Sequence, residues 1–301
     1  MNVLGYSKYL LFVILIAVIS TTCKHLSISD ELDITCLNES EQKMKGWLDF
    51  LCSEECAGRY VGTEGNKKAC DFIIAQLSSM GYSPSIQEFT FSDVTLHNVI
   101  VSIPGEKDSC IVVGAHYDGQ FSSKVDAHYP AANDNASGVV TLLKIANDIV
   151  DINFKCTYGI QLCFWDGEEN TLGKCFKGSD YYVANSSDLN IKYYHNLDSV
   201  GHNHKRQYKV TYYGNWPEQI VLPYIKKKFA LNYTNISSQN KGEGPSDYVS
   251  FSKEGIPYIN ITNDHSSGCG NRFHSTEDTP NAISIPLLCT MASIVEDVMQ
   301  L

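Results

Sequence analysis

The 301-residue chain has no C-x-x-C pair, no repeat, no low-complexity segment and no excess of basic charge. Without a C-x-x-C pair, a structural zinc ribbon is not supported. Lys and Arg total 23 against 34 Asp and Glu, a net charge of -11, which gives no support to nucleic-acid binding, because phosphate recognition needs clustered cations. With 43% hydrophobic and 19% charged residues, the composition is neither disordered nor collagen-like. The length admits one large domain or two small ones. No linker divides the sequence, so a single domain over residues 39–301 is expected.

Also lacking is an apolar run long enough to cross a bilayer, which takes about 20 residues. Leu10–Ile19 falls short of that, follows Lys8 and precedes Ser20-Thr21-Thr22-Cys23. Residues 1–22 therefore read as a secretory signal, cleaved near Thr22. Cys23 resembles the lipid-attachment cysteine of a bacterial lipoprotein. A plain signal peptide with an incidental cysteine is the alternative, and an uncleaved anchor is a weaker third. Residues 23–38 form a spacer. The expected location is exported, either secreted or held at the cell envelope, with the membrane touched only through that anchor.

Export makes disulfides possible. The chain has 11 cysteines. Cys52 and Cys56 stand one helical turn apart, while Cys110, Cys156 and Cys163 lie in or beside strand-like runs, where a thiol serves as a small hydrophobe. Pairing stays open. Asn-x-Ser/Thr sequons occur at Asn38, Asn185, Asn232, Asn235 and Asn260, with a further match at Asn135.

Apolar residues spaced three and four apart predict helices over 40–50, 65–80, 137–150, 218–229 and 285–300. Strand-like runs occur at 86–91, 98–103, 110–115, 158–164, 191–196, 208–212 and 256–261. Strands alternating with helices imply a three-layer α/β/α sandwich around a mixed, mostly parallel sheet. In such sheets the functional site lies at the carboxyl ends of the strands.

Five polar clusters follow those runs or fall between them. His116-Tyr117-Asp118 ends the apolar run Ile111–Ala115. On extended chain, residues two apart project to the same side, which suits a metal-ligating imidazole and a carboxylate that orients it. Asn133-Asp134-Asn135 precedes a helix. As a cap it would be ordinary, yet a carboxylate there could use both oxygens to bridge two cations. Asp166-Gly167-Glu168-Glu169 follows the strand over 158–164, and adjacent glutamates face different ways, one to bind metal and one to stay free as a base. Asp198 follows the run over 191–196 and His274 lies in a polar loop. Both depend on the other clusters for their assignment. His202 and His204 sit in a polar turn and are expected to be solvated.

Taken together, these motifs resemble the co-catalytic two-zinc aminopeptidase family, the metallopeptidase family that also includes glutamate carboxypeptidases and glutaminyl cyclases. The match runs from Gly58-Arg59-Tyr60-Val61-Gly62-Thr63-Glu64-Gly65 to Thr279-Pro280-Asn281. The resemblance implies two Zn2+ per chain, one held by His116, Asp134 and Asp198, the other by Asp134, Glu169 and His274. It implies Glu168 as general base, Asp118 as the residue orienting His116, a cis Asp134–Asn135 peptide, and peptide substrates with a free amino terminus. Two departures stand out. Phe273 occupies the place of a tyrosine that supports the oxyanion in some relatives, and Tyr248 that of a histidine in many. The stretch Asn170 to Lys177 is longer than in compact relatives and reshapes a pocket wall.

The expected function is an exported zinc metallo-exopeptidase, an aminopeptidase acting through metal-activated water. The alternatives are a glutaminyl cyclase with one zinc on the same fold, or a receptor-like domain that has lost the chemistry. Oligomeric state is not legible.

Overall fold

Strand β3 (Lys107–His116) shows what organises the molecule. From Ile111 onward every residue is buried, because helices cover both faces of the sheet at this point. The edge strand β1 (Ser85–Phe91) buries only Phe89 and leaves the rest partly or fully exposed. A computed structural model describes residues 37–122, 127–151, 156–169, 172–202, 208–229, 233–237, 245–263 and 274–300. The signal segment, Cys23, most of the spacer, His204, Phe273 and the Asn232 sequon lie outside the described residues. Glu39–Leu301 forms one compact unit.

The other strands are β2 (Val94–Ile103), β6 (Tyr158–Trp165), β7 (Asn190–Leu197), β8 (Tyr208–Tyr213), β9 (Tyr233–Ser237) and β10 (Tyr258–Asn263), in an eight-stranded sheet ordered β1-β2-β6-β3-β7-β10-β8-β9. The central run β6-β3-β7-β10 is parallel throughout. Antiparallel pairings join β1 to β2, β2 to β6 and β10 to β8, and β8–β9 is parallel. A separate two-stranded ribbon pairs β4 (Phe121–Ser122) with β5 (Ala127–His128).

Five helices pack their apolar stripes on one face: α1 (Glu39–Leu51), α2 (Glu64–Ser79), α3 (Ser137–Asp151), α5 (Leu222–Phe229) and α7 (Ile285–Met299). In α1 the buried residues are Met44, Trp47, Leu48 and Leu51, the three-and-four spacing read from the sequence. The α2 helix starts at Thr63, whose hydroxyl accepts the Asn66 N–H as an N-cap. The opposite face is aromatic. Here α4 (Lys177–Ala184) and α6 (Tyr248–Lys253) bring Tyr182 and Phe251 onto Trp165 and Tyr194, and the Tyr194 and Phe251 rings stack 3.7 Å apart. Tyr248 stacks on Tyr258 at 4.7 Å.

The sequence reading omits α4, α6 and β9, which are short and carry no sustained apolar stripe. The segment read as a helix over 218–229 divides into a wide turn, Pro217–Val221, and α5. Strand β10 starts two residues later than expected: Pro257 accepts the Tyr194 N–H through its carbonyl but has no N–H to donate. Among the described residues no helix is long and apolar enough to cross a membrane. Cys52, Cys56, Cys70, Cys110, Cys156, Cys163, Cys175 and Cys289 are free thiols. The Asn260 sequon is buried in β10, whereas Asn185 is exposed.

Arg59 stitches these layers together. It is fully buried, and its guanidinium donates to the carbonyls of Leu51, Tyr117, Pro130 and Ala131. Its own carbonyl accepts from Gly119 N and Asn66 Nδ2. A lysine has no planar fork and would leave buried carbonyls without donors. Arg59→Lys should therefore lower stability by roughly 3 kcal/mol, counted as one to two unsatisfied groups. Denaturant unfolding that gives the parent midpoint would show the fork to be dispensable.

Candidate metal centre

Three neighbouring parallel strands end together and deliver the site. His116 is the last residue of β3, Asp198 comes directly after β7, and Glu168 and Glu169 follow β6 by a tight turn. That turn needs Gly167, whose φ is +74° and where a Cβ would run into the Leu96 side chain. Asp134 arrives on the connection into α3, and its peptide bond to Asn135 is cis. His274 comes from the segment that leads to α7, with φ 49°.

The six side chains converge as two groups. His116, Glu168 and Asp198 each place a donor atom within 4.8 Å of the others, as do Asp134, Glu169 and His274. Asp134 joins them. Its Oδ1 lies 3.4 Å from His116 Nε2, and its Oδ2 lies 3.0 Å from His274 Nε2. His116 Nε2 is 3.7 Å from Asp198 Oδ1 and 3.9 Å from Glu168 Oε2, while His274 Nε2 is 3.3 Å from Glu169 Oε2. Glu168, which the resemblance keeps outside the ligand sets, thus sits within the first group.

Buried backbone contacts hold these groups in place. Asp118 is fully buried and its two oxygens accept the Glu168 and Glu169 amides, each at 3.0 Å. His116 Nδ1 lies 3.2 Å from the Asp118 carbonyl and 3.5 Å from its carboxylate. Asp118 therefore faces the imidazole and also fixes the glutamate pair, a contact not read from the sequence. Asn135 Oδ1 accepts from Gly138 N and Ser199 N, and its Nδ2 donates to Leu197 O, which ties Asp198 to the Asp134 turn. Gly138 is required there because a Cβ would collide with Asn135 Oδ1 and Leu197 O.

Further residues were not legible as part of the site. Asp278 accepts the amides of Asn133 and Asp134 at 2.8 and 3.1 Å. Gln120 donates to Glu169 Oε2 at 2.8 Å. Asp247 is buried, accepts from Ser179 Oγ at 2.6 Å, and lies close enough to act electrostatically on Glu168. Their partners lie 49 to 145 residues away, so no local pattern marks them.

Of the other histidines, His195 is fully buried with neither ring nitrogen hydrogen-bonded, and burial pushes it down to about 3. His202 is a correction. It is buried rather than solvated, because it bridges to Ile283 next to the last helix.

Burying so many carboxylates beside two imidazoles shifts them strongly. Burial pushes Glu168 well above the usual range despite the opposing charge of His116. Burial and then Asp134 raise Glu169 to about 7. Burial alone would lower His274, but Asp134 and Glu169 hold it at about 10. His116 is likewise held well above its ordinary value, by Glu168 first among the acids. The buried His116 Nε2 and Asp134 Oδ2 make no hydrogen bond of good geometry. Imidazole nitrogens and carboxylate oxygens in this arrangement fit one or two divalent cations of the zinc type, which would replace protons as the positive charges here.

The sequence pattern of Peptidase family M28 matches residues 98–299. The chain belongs to peptidase family M28. Similarity extends to Leupeptin-inactivating enzyme 1 of Streptomyces exfoliatus, 27% identical over 221 residues, covering 70% of this chain but 45% of that protein. Leucine aminopeptidase 1 of Fusarium vanettenii is 24% identical over 279 residues, covering 85% of this chain and 68% of that protein. Among solved structures, the glutaminyl cyclase of Fimbriiglobus ruber superposes with a TM-score of 0.71 at 17% identity, covering 89% of this chain and 97% of that one. That likeness shows the M28 α/β fold, in keeping with the expected sandwich.

The pH dependence of the metal-free protein follows from these shifts. Glu168 and Glu169 titrate above their unfolded value of about 4.3, so their burial destabilises increasingly as pH rises past it. His274 contributes stability that is complete below about pH 6.5 and lost as pH climbs through its folded value. Asp134, held low by the two imidazoles, contributes stability that is lost in acid. The chelator-treated protein should be most stable in mild acid and weaken from about pH 5 to 9. Added zinc should raise its melting midpoint, more at pH 8 than at pH 6, with protons released on uptake. A zinc effect independent of pH would contradict this protonation scheme.

Proposed function

We propose that this chain is an exported metallo-exopeptidase, an aminopeptidase that uses two zinc ions to remove residues from the free amino terminus of peptides. One observation carries the proposal: Asp134 turns its two oxygens to different imidazoles, each beside a carboxylate of its own. A carboxylate placed so could serve two cations at once. His116, Asp198 and Asp134 would hold one zinc, and Asp134, Glu169 and His274 the other. When bound, two zinc ions supply Lewis acidity, which acidifies water and polarises a carbonyl.

The remaining steps belong to the protein. Glu168, buried beside the first donor group with its Oε2 3.9 Å from His116 Nε2, stands where it would take a proton from water and return it to the departing amine. Asp118 fixes the Glu168 amide and orients His116, so base and ligand keep a set spacing. The surplus of buried acid, Asp247 included, suits the cationic amino terminus of a peptide. Names of the relatives support peptide hydrolysis, and the leader-like sequence before Cys23 supports export.

The fold's likeness to a glutaminyl cyclase favours a second reading, with one zinc. The completeness of both donor groups favours the peptidase. Metal analysis should find two zinc ions per chain, and peptides with free amino termini should be cleaved while blocked ones are not. One zinc, with cyclisation of amino-terminal glutamine, would replace the proposal. Glu168→Gln should retain zinc and lose about 10²- to 10⁴-fold in kcat, the usual contribution of a general base. Activity within a few fold of the parent would assign the proton transfer to another group.

A further inference from the structure

The two imidazoles are unequally enclosed. His116 is 1% exposed, whereas the His274 side chain is 31% exposed. His116 and Asp198 stand at strand ends, while Glu169 and His274 stand on connecting segments. Gln120 lies at the base of the β4–β5 ribbon, two residues past Asp118, and lines a small recess with Tyr129, Asp134, Glu169 and His274. Its amide nitrogen donates to Glu169 Oε2 at 2.8 Å, the same oxygen that faces His274 Nε2. The neighbouring Gly119 N–H is fixed to the Arg59 carbonyl at 3.2 Å, so the amide approaches from an anchored backbone.

We infer that Gln120 is a positioning residue for the second metal, acting through Glu169; the inference rests on the two-zinc reading above. The chemistry suits the task. A neutral amide orients a carboxylate oxygen and leaves its negative charge available to a cation. A lysine at this position would neutralise the charge and compete for the place. Groups that hydrogen-bond a metal ligand commonly set metal affinity by about 10- to 100-fold. No comparable side-chain amide donates to Glu168 or Asp198 among the hydrogen bonds of the described residues, so the effect should fall on one metal and not the other.

The test is Gln120→Met, which keeps the length of the side chain and removes the donor, with Gln120→Ala as a second variant. Zinc affinity of the full chain is measured by chelator competition, with thermal unfolding recorded beside it. The second zinc should bind about 10- to 100-fold more weakly in both variants. The first zinc and the metal-free melting midpoint should stay as in the parent, and at saturating zinc KM should change less than kcat. Two zinc ions bound with parent affinities would overturn the inference, as would equal weakening of both. A parent that binds fewer than two zinc ions would remove the two-metal reading itself, whatever the variants do.

Discussion

Everything at the site follows from placing like charges together out of water. Asp118, Asp134, Glu168, Glu169 and the neighbouring Asp166 and Asp247 are buried within one region. In a low-dielectric interior such a cluster is tolerated only if cations or protons balance it. Burial accordingly holds Glu169 and Asp247 up at about 7, which favours protons as the balance in the metal-free chain. The same imbalance is what draws in a divalent ion. The site is therefore a strained arrangement of acids, held by the surrounding fold against its own repulsion.

What holds it is backbone hydrogen bonding from beneath. Asp118 receives two amides of the glutamate turn, Asp278 two amides of the Asp134 turn, and Asn135 an amide after each of two segments. Asp118 and Asp278 offer carboxylate acceptors to main-chain N–H groups, the stronger class of hydrogen bond, and Asn135 adds a neutral amide acceptor. Arg59 adds a buried cation that donates to four carbonyls. The parallel strands β6, β3 and β7 set the coarse spacing, and these polar contacts set the fine one.

Much of this was legible because parallel strands announce themselves. Ile111–Ala115 is apolar without alternation and the run over 158–164 is broken only by Gln161, so the first polar residues beyond each lie at the sheet's carboxyl edge. His116, Asp118, Glu168 and Glu169 are such residues. The antiparallel flanks were less legible, because β1 and β2 alternate weakly and β9 is a five-residue polar strand. Asp278 lay within the Ser-Thr-Glu-Asp-Thr segment of the last motif, yet nothing local ties it to amides 144 and 145 positions earlier. His202 misled for the same reason: its polar neighbours signal solvent, and nothing in them shows its backbone bridge to Ile283.

The unequal exposure of the two imidazoles fixes a direction. A molecule coming from bulk water meets His274 before it can meet His116, with Asp198 also partly open at 17%. Among the described residues, His274 and Asp198 form the more open side of the site and His116 its enclosed end.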